Sequence, residues 1–448
     1  MKSKNLVAIA VYLGTFCGMF MITARSIILP TVLAELDADK YYDLAVLITS
    51  LAMCVVLPVS GKLSDFLGRK RIFIVGSIVF IFSSLLCTLA TSIYIYMLGL
   101  TGTGIAFGLV NSVQLAILND IFSEEERTGK VSNLNIANSL ACLIGPIAGG
   151  AFTDCLSWRS VYISVIPILV AALIVMLFYK EERSTKEKVE FNVAETVCYI
   201  IILIPAILLM SGKKIGIYHY DRIIIGLIIS VLVGIKGLFY VEKKTEFPVI
   251  PYFLFKNKNY LFYIVTYLLC SLGFAVINYL PLYYQKLRML GVTVSGLLVV
   301  PRQLSQVLMG MIIKREMKNV GTRKLPVVMG FVIFGISMIL MLTFDSQTEL
   351  ARIVLAELLF GFGYCALTII CQSNIQLELP EEHIGSGTAL IGLVGALGNT
   401  MGAAIGSMAL GMADSVSEGL RFFFLINAGI MICGMGWGVM NREKSKRI

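Results

Sequence analysis

Charged residues are scarce in this chain. Asp, Glu, Lys and Arg together make up 15% of it, whereas a soluble domain carries about a quarter. Histidine is scarcer still, with only His219 and His383, both in predicted loops. No His, Cys and carboxylate set falls at metal-ligand spacing, so no metal site, no cofactor and no enzymatic activity are predicted. The ten cysteines are scattered, mostly inside apolar blocks, and form no Cys-x-x-Cys pair. Buried thiols of this kind behave as small hydrophobes, which argues against a disulfide framework or a zinc site. A glycine-rich phosphate-binding loop is also missing, which excludes ATP-driven work by this chain alone. No predicted loop is long enough to hold a soluble catalytic or sensor domain. A net charge of +9 invites a nucleic-acid reading. The basic residues, however, lie in short clusters between apolar blocks, the pattern of topogenic membrane loops.

What the chain has in quantity is hydrocarbon. Hydrophobic residues make up 57% and mean hydropathy is +0.85. They come in blocks of about twenty, the length a helix needs to cross ~30 Å of bilayer core. In lipid each backbone amide must be satisfied within its own segment, so these blocks are helices. The expected class is an all-α polytopic membrane protein. Lys2 and Lys4 precede an apolar run to about Ala34, too long for a signal-peptide core, and this run is the first membrane helix. Fourteen apolar segments in all lie between residues 6 and 440. Two of them, 194–211 and 222–241, are weaker, being flanked or interrupted by Lys213, Lys214 and Lys236. Losing both would leave twelve. Alternate loops, starting with the N-terminus, carry most of the basic residues. By the positive-inside rule both termini are then cytoplasmic.

A weak internal repeat divides the chain. Ser123 to Gly129 follows the fourth segment and Pro380 to Gly385 the twelfth, and each precedes a Gly/Ala-rich helix. Gly102-x-Gly104 likewise matches Gly361-x-Gly363, which makes Leu98 the repeat equivalent of Glu357. The expected organisation is a six-helix bundle over 1–188, two inserted helices over 189–246, and a second six-helix bundle over 247–448.

The most informative run is Gly61-Lys62-Leu63-Ser64-Asp65-Phe66-Leu67-Gly68-Arg69-Lys70-Arg71, between the second and third segments. Gly61 and Gly68 let two helix ends approach closely because no Cβ intrudes. Asp65 can accept from a helix N-terminus or pair with a base, while Arg69, Lys70 and Arg71 fix topology. The order G-x-L-x-D-x-x-G-R-K-R resembles the cytoplasmic loop motif of the major facilitator superfamily of secondary transporters. A second stretch, Gly145-Pro146-Ile147-Ala148-Gly149-Gly150, is similar to the G-P-x-x-G-G motif of that superfamily's drug:proton antiporter branch. Trp158-Arg159 with Pro167, and Glu242 to Phe255 with Pro248 and Pro251, resemble fourteen-helix members. The resemblance spans nearly the whole chain and implies a fourteen-helix exporter in the plasma membrane. Two six-helix halves would rock around a small-molecule site, with protons as coupling ion and a single chain as the working unit. Two positions depart from the family pattern. Met21 stands where a first-helix Asp is usual, and Leu98 where a fourth-helix Arg is usual.

Other charges lie at membrane depth: Arg25, Arg302 and Glu357. Such residues are expensive and mark candidate function. By helical rise, Arg302 and Glu357 come to similar depth and could face each other. Glu357 is then the candidate for proton coupling, its occupancy following hydration of the pocket. The bland alternative is a structural ion pair. Arg25 and Arg302 could instead serve an anionic substrate, and a metabolite or organic-anion carrier of the same fold is the competing function. Asn111, Gln114, Asn278, Tyr279, Gln303 and Gln306 are candidates for lining a cavity. Buried amides equally serve as glue between helices. The loop motif carries its own prediction: Asp65→Asn is expected to impair transport while membrane insertion, measured by immunoblot of membrane fractions, stays normal.

Overall fold

In a computed structural model the described residues are 2–179, 197–198, 201–202, 205, 220–242, 257–316, 324–377 and 384–440. Among them there is no strand. Thirteen helices are described: α1 Lys2–Glu35, α2 Tyr42–Leu67, α3 Arg69–Thr88, α4 Ile93–Ile121, α5 Glu124–Cys155, α6 Trp158–Phe178, α7 Tyr220–Glu242, α8 Lys258–Phe274, α9 Val292–Glu316, α10 Lys324–Leu342, α11 Leu350–Leu377, α12 Ile384–Met412 and α13 Val416–Met440. Twelve of these are long and apolar enough to cross a membrane, and the shorter apolar stretch Ile223–Leu238 lies within α7. The predicted segment 194–211 lies largely outside the described residues, as do the 243–256 link, His219 and His383.

Helix ends follow local chemistry. Ser157 caps α6 by accepting from the Arg159 amide, and Asn257 caps α8 by accepting from the Asn259 and Tyr260 amides. Each takes up donors that a helix start leaves orphaned. Gly68 has φ +99° and serves at once as the last cap of α2 and the first of α3. An L side chain there would be strained, so the tight turn requires glycine. Gly61 does not share this role. A Cβ there would meet nothing within 4 Å, so the expected close approach rests on Gly68 alone.

The chain forms two compact units, one of residues 1–241 with 291–296, the other of 242–290 with 297–448. In the first, α1 packs on α5 and α6, and α3 packs on α4 and α6. Its core joins Val7, Val11, Phe73, Val110, Val113 and Leu118, with Leu63 packed against it. In the second, α8 packs on α12 and α13, and α10 packs on α11 and α13. Each unit thus repeats the same order of neighbours, first helix on fifth and sixth, third on fourth and sixth. In α7, Gly234 approaches Ile201 and Ile202, and Gly237 approaches the Cys198 sulfur.

One span is broken. After α8 the chain makes a 3-10 turn at Ala275–Asn278, a short helical turn at Leu280–Leu282 and a π turn at Tyr283–Leu287. Pro281 lacks an N–H and its ring clashes with the carbonyl four residues back, which explains the interruption. Backbone irregularity at membrane depth survives where neighbouring protein re-satisfies it. Here the turns keep short-range backbone bonds of their own, Tyr279 N to Val276 O, Leu282 N to Tyr279 O and Arg288 N to Tyr283 O. Side chains tether the span to its neighbours: Tyr279 Oη donates to Ala403 O at 2.6 Å, Tyr283 Oη donates to Asp345 O at 2.8 Å, and the Arg288 guanidinium donates to Ser346 O.

Candidate functional site

The broken span delivers a phenol to a buried carboxylate. Tyr284 Oη donates to Glu357 Oε1 at 2.5 Å. Arg302 Nη1 stands 3.3 Å from Glu357 Oε2, and the guanidinium lies over the Phe360 ring, 5.5 Å from its centroid. Tyr284 and Glu357 are 0% exposed and Arg302 is 4% exposed. Glu357, Phe360 and Gly361 share one face of α11 by their i, i+3, i+4 spacing. The Arg302–Glu357 contact lacks hydrogen-bond alignment: among protein groups, Glu357 Oε2 and the Arg302 Nε and Nη1 atoms find no hydrogen-bond partner. Charge rather than geometry holds the pair. Removing two charges from water costs several kcal/mol per ion. Mutual attraction, the phenol donor and the cation–π contact offset that cost. A proton on Glu357 would leave Arg302 a lone buried cation, so the cluster's stability depends on one proton.

The first unit builds a different junction at the equivalent place. A Cβ on Gly104 of α4 would collide with Thr49 O of α2, as one on Gly361 of α11 would collide with Arg302 O of α9. Since α2 and α9 are the second helices of their units, Gly104 matches Gly361. The repeat equivalent of Glu357 is then Leu100, fully buried, and not Leu98, which is 62% exposed. Equal glycine spacing in the two helices concealed this shift of two residues. At the junction Arg25 Nη1 donates to Thr49 Oγ1 at 2.8 Å and to Ala45 O at 3.1 Å. Thr49 Oγ1 in turn donates to Leu100 O at 3.3 Å. Arg25 is 6% exposed.

The 61–71 loop is tied to helix ends. Arg69 pairs with Asp120 and donates to Ala116 O at 2.9 Å. Lys70 Nζ donates to Leu177 O at 3.0 Å and to Tyr179 O. These cations satisfy carbonyls at the C-terminal ends of α4 and α6, where the helix dipole favours positive charge. Arg71 is exposed. Asp65 lies in the last turn of α2, and its side chain is outside the described set. In α5, Gly145 and Gly149 let α1 approach at Phe20, Thr23 and Ala24, while Gly150 meets the start of α9, where a Cβ would come within 2.7 Å of Thr293 Cα. Pro146 sits inside the same helix.

A family model described as Major Facilitator Superfamily matches residues 11–403. The chain belongs to the major facilitator superfamily. Curated relatives include the multidrug transporter protein MdtP of Bacillus subtilis (strain 168), 25% identical over 87% of this chain and 73% of that protein. Multidrug resistance protein 3 of the same strain is 27% identical over 88% and 78%. Multidrug resistance protein Stp of Mycobacterium tuberculosis (strain CDC 1551 / Oshkosh) is 24% identical over 90% and 75%. Among solved structures, an auto-inhibited POT family peptide transporter superposes with TM-score 0.71 at 13% identity, covering 100% of this chain and 99% of that one. The nucleoside transporter NupG gives 0.67 at 14%, covering 99% and 100%. At such identities these structures share the fold alone.

For this major facilitator protein, a multi-pass membrane transporter and not an enzyme, the remaining sequence candidates divide. Thr15, Gln114 and Asn111 form a hydrogen-bonded chain from α1 to α4, the helix-joining use of buried amides. Tyr279 is likewise spent on Ala403. Asn278, Gln303 and Gln306 are half-buried, and the Gln306 carbonyl accepts from the Cys365 thiol at 3.1 Å. Sequence reading missed Tyr284, Thr49 and Asp120. For Tyr284 a signal existed: a paired tyrosine three residues after the helix-breaking Pro281. Thr49 and Asp120 carry no such mark in the sequence, since their partners come from other helices.

Proposed function

We propose that this protein is a proton-coupled exporter of small hydrophobic or cationic drug-like compounds, working by alternating access of its two six-helix units. The observation that carries the reading is the Tyr284–Glu357–Arg302 cluster. Among the described side chains, Glu357 is the one fully buried acid, and its charge state changes the balance of a buried ion pair. The names of the multidrug relatives support the substrate class. We place the protein in the plasma membrane with both termini in the cytoplasm, supported by the basic loops on one side. The 61–71 loop would then latch the inward-closed state, and Asp65, with Arg69, Lys70 and Arg71, would act there. Both units lie in one chain, which supports a working monomer.

The test uses energised inverted vesicles with an internal pH dye. Lipophilic cations, tetracycline-like and quinolone-like drugs, added in turn, are expected to evoke proton release from vesicles containing the protein. Silence across the panel, with the protein confirmed in the membrane, would overturn drug:proton antiport. It would favour a second reading, an organic-anion or metabolite carrier. That reading rests on the two deeply buried cations, Arg25 and Arg302, which outnumber the one fully buried carboxylate.

A further inference from the structure

The two junctions occupy matching places in the two units but differ in one property. In the first unit Arg25 donates hydrogen bonds to a hydroxyl and a carbonyl, Thr49 Oγ1 and Ala45 O. Neither acceptor changes charge near neutrality, so these bonds do not depend on a proton. In the second unit the cation faces a carboxylate, and the phenol that completes the cluster sits on a π turn, a rare form of helix often found at functional sites. Side-chain donors tether the segment to the 345–346 loop, Tyr283 to Asp345 O and Arg288 to Ser346 O.

The geometry points to Tyr284 as a positioning residue that reports the proton on Glu357 to residues 279–288, so that this segment of the second unit loosens on protonation while the first unit's junction stays closed. A phenol donating to a carboxylate makes a charge-assisted bond, roughly twice as strong as its neutral counterpart. With Glu357 protonated, that bond weakens and Arg302 loses its counter-charge. The inference rests on the assignment of Glu357 as the proton site. The charged and titratable groups near it are few. Tyr284 faces it from the broken span and Arg302 from α9. From α10, the Ser337 hydroxyl donates to Ala356 O, the carbonyl before Glu357. Around the pinned segment lie Arg288, Asp345 and Arg421. Asp345 is not the trigger. The Thr348 hydroxyl, and then the Gln347 amide, hold its carboxyl below the usual carboxylate range, so it stays ionised at neutral and mildly acidic pH.

Hydrogen–deuterium exchange of the full-length protein in lipid nanodiscs, without substrate, tests this. Corrected for intrinsic rates, protection of 279–288 in wild type is expected to fall about tenfold as pH drops, the loss expected when a charged acceptor becomes neutral. Residues 25–35 are expected not to respond. Glu357→Gln should show the low protection at every pH, and Tyr284→Phe should abolish the pH response. Tyr283→Phe, which loses the hydroxyl that donates to Asp345 O, should loosen the segment yet keep its pH response. A wild-type segment indifferent to pH, or a Tyr284→Phe protein that still responds, would overturn the inference. Should Tyr284→Phe not fold, the wild-type series and Glu357→Gln decide alone. Because no substrate is present, silence in the vesicle panel and failure here are separate results.

Discussion

Glu357→Gln is expected to abolish drug-evoked proton movement in inverted vesicles while the protein still reaches the membrane. Glutamine keeps an oxygen for the Tyr284 phenol at the position of Oε1, so the 2.5 Å contact has a neutral replacement. What it cannot do is bind and release a proton. The dye signal is therefore expected to fall to that of vesicles without the protein. The variant should also lose the pH dependence of whatever transport remains. There is a stability cost as well, because removing one partner of a buried pair leaves the other charge uncompensated, at about 3–5 kcal/mol. A lower melting temperature is expected with it, which Arg302→Met in the same background should largely restore without restoring coupling. A Glu357→Gln protein that moves protons at the wild-type rate would remove Glu357 from the mechanism. A protein that is merely absent from the membrane would be identified by immunoblot.

The Arg302–Glu357 pair could be anticipated because hydrophobic block length and helical rise are one-dimensional properties. They put the two residues at similar depth before any contact was known. The same arithmetic gave the spans over α1 to α6 and α8 to α13. It placed the eighth apolar segment over what becomes α7. Contacts across helices are another matter. The partner of Arg69 is Asp120, some fifty positions away at the end of α4, and no spacing rule reaches it. The match of Gly102 with Gly361 failed for a related reason. Two glycines separated by one residue look alike in sequence, but only the carbonyl each one meets, Thr49 O or Arg302 O, tells which face of the helix it serves. Tyr284 was hidden by geometry. Its reach to Glu357 depends on the 3-10 and π turns around Pro281, and a regular helix would have aimed it elsewhere.

Gly361→Ala should show how tightly the second unit's junction is built. A Cβ at Gly361 would collide with the Arg302 carbonyl and the Ser305 hydroxyl. The hydroxyl can rotate, though it would give up its 2.8 Å bond to Arg302 O. The carbonyl belongs to α9's backbone and cannot move without shifting the helix. Overpacking of this kind costs about 1–3 kcal/mol. The added methyl would push α9 away one helical turn along from Glu357, which opens the Arg302–Glu357 pair now at 3.3 Å. Stability and coupling should therefore fall together, with drug-evoked proton release reduced about tenfold or more if the shift costs the pair ~1.4 kcal/mol of interaction. Gly429→Ala supplies the control. Its Cβ would meet nothing within 4 Å, and in a helix interior alanine is favoured over glycine by roughly 0.5–1 kcal/mol. Thermal melting and vesicle assays on both variants separate the cases. Gly429→Ala should melt no lower than wild type and transport normally, whereas a Gly361→Ala protein with wild-type melting and transport would mean that α9 and α11 are not held at the close approach on which the Arg302–Glu357 contact depends.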